Sequence, residues 1–199
     1  MYLTLLWAIS VATGCYHHYP ARQSVESFKT ADQKAEIQFL TEAPAGAYDK
    51  ARRALELLEQ VRNQPDFNNS LQSLDYDFSN EKQALRSVAE VVRCAQEPIL
   101  VPWKVRYAPW LRFWPFKKEV GRTVWIGDDS FYVQTYDSDI ANGTEAALAG
   151  HFLHEHMHTC GFEDGGGFNE RRVTYQMNYL VEHALGAREK DCPKRTQAP

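Results

Sequence analysis

His154-Glu155-His156-Met157-His158-Thr159-Cys160-Gly161-Phe162-Glu163-Asp164 is the stretch from which the rest of the chain can be read. On a helix, His154 and His158 lie one turn apart on the same face, a spacing at which two imidazoles can hold one zinc ion. Glu155 stands beside the first of them and can reach a zinc-activated water without binding the metal itself, the arrangement of a carboxylate general base. The preceding segment favours a helix. Thr144 is a good N-cap, Glu145 opens the first turn, and Ala146, Ala147, Leu148 and Ala149 follow. Gly161 stands where a C-cap glycine belongs, so the helix should stop there. The chain can then reverse and bring Asp164 back as the third zinc ligand. The glycines after it, Gly165-Gly166-Gly167, suit a sharp reversal. Glu163 and Glu182 are the rival third ligands.

Neighbouring residues sort by face. At about 100° per residue, His151 falls on the side of His154 and His158 and is read as a supporting group or substrate contact. His156 points the opposite way and is expected to be packed or at the surface. Cys160 lies on a different face from both ligand histidines, so it is not expected on the metal. Cys94, Cys160 and Cys192 could form one disulfide in an exported protein, and the sequence leaves all three pairings open.

Moving outward, apolar residues at helical spacing predict a helix over Tyr48–Asn63, ended by Gln64-Pro65-Asp66. A short strand is expected near Leu74–Phe78. Ser79-Asn80-Glu81 should cap a second helix carrying Ala84, Leu85, Val88, Val91, Val92 and Ala95 inward. Ile99–Tyr107 reads as a strand, and Pro102 argues for an edge or a bulge. Strands are expected at Thr123–Ile126 and Phe131–Thr135, and a last helix from Glu170 to Leu185. Pro109–Lys118 sets Trp110, Phe113, Trp114 and Phe116 beside basic residues and is read as a packed loop, with a membrane-surface or substrate contact as the alternative. The expected class is α/β (α+β). One domain spans 48–187, preceded by a polar tether over 15–47 and followed by a disordered tail over 188–199.

The 199 residues, 44% apolar and 24% charged, suit one globular domain. A net charge of -4 without a basic block argues against nucleic acid as a partner, and a monomer is expected. Residues 2–14 carry no charge and are too few to span a bilayer, which suits the apolar core of a signal peptide over 1–14. The run ends Ala12-Thr13-Gly14-Cys15. Small residues before a cysteine resemble the lipidation site of bacterial lipoproteins, although no Lys or Arg precedes the run. The expected location is the bacterial cell envelope, with Cys15 as a lipid anchor in the membrane; plain secretion is the alternative.

The pattern formed by His154, Glu155, His158, Gly161 and Asp164 resembles that of the metzincin zinc peptidases, in the snapalysin-like variant whose third ligand is Asp. Over about residues 70–185 the chain also resembles a group of uncharacterised bacterial metzincin-like proteins. The shared features are Thr123-Val124-Trp125-Ile126, Ala149-Gly150, Thr159-Cys160-Gly161-Phe162 and the Val173-Thr174-Tyr175 segment. The resemblance implies a twisted mixed sheet packed on a backing helix and the active-site helix, followed by a C-terminal helix. It also implies a peptide or protein substrate lying along an edge strand. Tyr175 is the candidate phenol for steadying the oxyanion. Two departures stand out: Asp164 where most of that bacterial group has His, and no clear Met-turn, with Met177 a candidate by position alone. The expected function is a zinc-dependent endopeptidase with Glu155 as general base. The alternatives are a non-catalytic metal-binding envelope lipoprotein and a zinc amidase acting on cell-wall peptides.

Overall fold

The structure, a computed structural model, describes residues 26–40, 43, 46–106, 121–125, 131–165 and 169–187. The apolar leader, Cys15, the Pro109–Lys118 run, Cys192 and the tail over 188–199 lie outside the described residues. In chain order the elements are strands β1 (Glu26–Lys29) and β2 (Ala35–Phe39), then helices α1 (Ala47–Arg62) and α2 (Phe67–Ser73). A single 3-10 turn, Gln83–Leu85, precedes helix α3 (Val88–Gln96). Strands β3 (Ile99–Arg106), β4 (Gly121–Trp125) and β5 (Phe131–Tyr136) follow, then helices α4 (Asp137–Asn142), α5 (Glu145–Thr159) and α6 (Val173–Ala184).

The fold is mixed α/β. One sheet runs in the order β1-β2-β3-β5-β4. β2, β3 and β5 are mutually parallel, and the outer strands β1 and β4 run antiparallel to their neighbours. Helix α1 rests on β2, α5 lies against β3 and β4, and α6 packs along α5. Buried residues recur on one side of β2 and of the first half of β3, while Leu100 on the other side is 41% exposed. One face of the sheet thus carries the core. Trp103 is at its centre, edge-on to Phe39 and Phe152 at 5.7 and 6.3 Å between ring centroids. Truncating a fully buried ring such as Phe152 to Ala costs about 3–5 kcal/mol. Gly150 allows the two last helices to meet, because a Cβ there would stand 2.8 Å from the carbonyl oxygen of Asn178.

The structure corrects several expectations. The tether read over 15–47 contains β1 and β2, and Ala35, Ile37 and Phe39 are core residues. Ala35-Glu36-Ile37-Gln38-Phe39 alternates apolar and polar, the signature of a half-buried strand. The Leu74–Phe78 segment is not a strand, although its Asp77 N–H bonds the Arg171 carbonyl at 2.8 Å, and it follows a further helix, α2. Helix α3 starts later than expected, because the Ser87 hydroxyl accepts the N–H of Glu90 and caps it there. Strand β3 is central, not an edge. Its Ile99 N–H points to β2, bonding the Lys34 carbonyl at 2.8 Å, so by alternation the nitrogen of Pro102 faces β5. Pairing with β5 begins only at Trp103, so the missing N–H of Pro102 breaks no ladder bond.

Cys94 on α3 is bonded to Cys160 at the end of α5, a separation of 66 residues. Closing a loop of that length in the unfolded chain stabilises the fold by about 4 kcal/mol. Among the described residues, no helix is long and apolar enough to cross a membrane.

Candidate metal centre

Helix α5 begins where Thr144 accepts the Ala147 N–H at 3.1 Å. Most of its length is buried, so its polar residues sit inside the protein rather than on a solvated face. It ends in a Schellman turn. The Gly161 N–H bonds the His158 carbonyl at 2.9 Å, and the Phe162 N–H bonds the Met157 carbonyl at 3.2 Å. Gly161 holds φ at +92°, a conformation that side-chain-bearing residues rarely adopt. Phe162 and Met157 are both fully buried and anchor the turn in the core.

This turn builds the site. It places the Phe162 carbonyl 2.8 Å from Nδ1 of His158, where it accepts the ring N–H and aims Nε2 outward. It also returns the chain so that Asp164 faces both histidines. Asp164 Oδ1 is 3.5 Å from Nε2 of His154, and Oδ2 is 3.5 Å from Nε2 of His158. The three ligand atoms lie within 4.8 Å of one another. A tetrahedral zinc shell with bonds near 2.05 Å needs ligand atoms about 3.3 Å apart. Two imidazole nitrogens and one carboxylate oxygen are a donor set that suits zinc, with each ring 3.5 Å from one oxygen of Asp164.

The electrostatics agree. Burial favours the neutral form of Asp164, but the two imidazoles outweigh it and hold the carboxyl far below the usual range. Burial works against a charged His158, yet Asp164 and Glu155 outweigh it and raise the ring to about 9. The Asp164 carboxylate thus stays ionised beside the two rings, and a bound cation would take the place of the His158 proton.

Two contacts fix the returning chain. Glu81, buried, accepts the Glu163 N–H at 3.1 and 3.3 Å on its two carboxylate oxygens. Thr174, at the start of α6, donates its hydroxyl to Asp164 Oδ1. Neither role was legible beforehand, since Glu81 lies far upstream and Thr174 belongs to another helix. Glu163 has an exposed side chain, and Glu182 accepts from Asn178 at 2.7 Å. Neither joins the cluster.

Glu155 is 1% exposed and meets β4, where the Thr123 hydroxyl donates to its Oε2 at 2.6 Å. The Tyr175 ring stands edge-on to His154, 5.2 Å between centroids. Met177 is a core residue on α6. His156 is buried with Nε2 3.1 Å from the Cys94 carbonyl. Cys94, His156 and Cys160 also bring donor atoms together. Their two sulfurs are bonded to each other, however, which removes both thiolates as ligands. Compared with family models, curated proteins and solved structures, the chain matches none of them.

Proposed function

We propose that this protein is a zinc-dependent endopeptidase of metzincin-like design. The observation that carries the reading is the convergence of His154, His158 and Asp164 with a buried carboxylate, Glu155, one residue after the first ligand. Among the described residues the cluster has three donors, which leaves a tetrahedral ion one position for solvent or substrate, as hydrolytic sites require and structural sites do not. When bound there, zinc would act as a Lewis acid and make a coordinated water acidic near neutral pH.

The chain's own residues supply the rest. Glu155 takes the proton of the attacking water and returns it to the leaving amine. Its buried carboxylate is held by the hydroxyl of Thr123, which places the base directly beneath the sheet's outer strand. An extended peptide pairing with the outer edge of β4 would run past that carboxylate, the usual way a sheet edge takes a substrate strand. Tyr175, whose ring stands beside His154, is the proposed phenol for steadying a developing oxyanion. The Cys94–Cys160 disulfide suits an oxidising compartment, which supports export into the envelope, with Cys15 as the proposed anchor.

Metal content and cleavage of a broad peptide library, with and without a chelator, test the reading. One zinc per chain and chelator-sensitive cleavage are expected. Asp164→Ala should lose zinc, whereas Glu163→Ala and Glu182→Ala should keep it. Zinc retained by Asp164→Ala, or cleavage that survives removal of the metal, would overturn the proposal.

A further inference from the structure

A buried ionised carboxylate is tolerable only if hydrogen-bonded, and Glu155 is engaged from two directions. Thr123 serves Oε2. On the other side, Nδ1 of His151 faces Oε1 at 3.3 Å. The same imidazole turns Nε2 toward the hydroxyl of Thr135 at 3.2 Å. Thr135 in turn accepts the indole N–H of Trp103 at 2.8 Å. A line of contacts therefore runs from β3 through β5 to α5, and Trp103, Thr135, His151 and Glu155 are all buried.

Chemistry sets the direction of the protons at the two ends of this line. An indole N–H can only donate, so the Thr135 oxygen is an acceptor on that side and its single hydrogen is free for His151. As the proposed base, Glu155 is a carboxylate that can only accept, so the nitrogen facing it carries the ring proton. The carboxylate contact selects the tautomer of His151 protonated at Nδ1 and bare at Nε2, and the Thr135 hydroxyl is free to donate to that bare nitrogen. Burial keeps the ring neutral by pushing its pKa down to about 4. Each Glu155 oxygen retains a further lone pair for the water's proton.

We infer that His151 is a positioning residue: as the Nδ1–H tautomer, backed at Nε2 by the Thr135 hydroxyl, it fixes the orientation of the Glu155 carboxylate. This inference rests on the reading of Glu155 as the base, but its tautomer can be tested without any substrate. A histidine that merely fills the core would have no need of a fixed proton, and a leucine could replace it. The side-chain amide of asparagine, by contrast, presents an N–H where Nδ1 stands.

The test uses the zinc-loaded full chain. In long-range ¹H–¹⁵N spectra of histidine-labelled protein, the resonance absent from His151→Asn should show a protonated Nδ1 and a bare Nε2. On a peptide cleaved by the wild type, His151→Leu should lower kcat about 10–100-fold with KM and zinc content unchanged. His151→Asn should recover most of that loss. An Nε2–H tautomer, wild-type kcat in His151→Leu, or an Asn variant no better than Leu would overturn the inference. Full activity in Glu155→Gln would instead remove the base assignment, and the tautomer result would stand by itself.

Discussion

His156 and His158 are two residues apart on the same helix, both are largely enclosed by protein, and their surroundings drive them in opposite directions. Burial pushes His156 down to about 4, since its partner is only the neutral Cys94 carbonyl. His158 rises to about 9, because the Asp164 carboxylate outweighs the same penalty. The difference extends to the two faces of α5. One holds the candidate metal ligands, and the other holds His156 and the disulfide that joins α5 to α3. Burial alone therefore does not decide what a histidine does; the charge of the group facing it does.

If the two faces are separate in purpose, damage to each should have a different readout. The largest effect belongs to the metal face. Glu155→Gln should lower peptide hydrolysis about 10²–10⁴-fold, since an amide cannot take the water's proton. Zinc content, measured by metal analysis, and the melting profile should be preserved. Wild-type turnover in this variant would erase the functional half of the contrast.

The opposite face should show the reverse. Cys94→Ser should cost about 4 kcal/mol in denaturant unfolding while the folded fraction keeps one zinc and its turnover per molecule. Zinc lost from molecules that are still folded would mean that the faces are coupled.

Titration sharpens the contrast through sign. His158 has its folded pKa above the ordinary 6.5, so its contribution to metal-free stability is complete below 6.5 and is lost as pH rises through about 9. His156 and His151 have folded values near 4, so they weaken the fold as pH falls from 6.5 toward 4. Metal-free protein should therefore lose melting temperature on both sides of that value. Bound zinc replaces the His158 proton and should flatten the alkaline limb. An alkaline limb unchanged by zinc would place the ion elsewhere.

The smallest expected effect is that of His156→Phe, about 1 kcal/mol in unfolding free energy. The Cys94 carbonyl keeps its second donor, the Glu97 N–H at 3.0 Å, so no acceptor is stranded. Activity should not change.

The sequence exposed the local half of this site and concealed the distant half. His154, His158 and Asp164 were legible because helical spacing and a turn glycine act over a few residues. Glu81, Thr123 and Thr135 were not, since a hydroxyl or carboxylate from another element carries no mark of its destination. Asp164 depends on this hidden half through Thr174, and Glu155 through Thr123. The pairing of Cys94 with Cys160, left open among three choices, needed the packing of α3 against α5. The fold class was readable from the alternation of strand and helix patterns. The place of β3 was not, because a proline's cost depends on which side its missing N–H would have faced.

The pairing of Ala35 with Ile99 has a practical consequence. β1 and β2 shield one side of β3, whose Ile99, Val101 and Trp103 are among the most buried residues of the protein. A fragment trimmed to start at Tyr48 would bare that side of β3 and offer its unpaired backbone to any other extended chain. Such a trimmed domain should be sticky, giving inclusion bodies in place of soluble protein. Expression boundaries for this molecule belong upstream of Glu26.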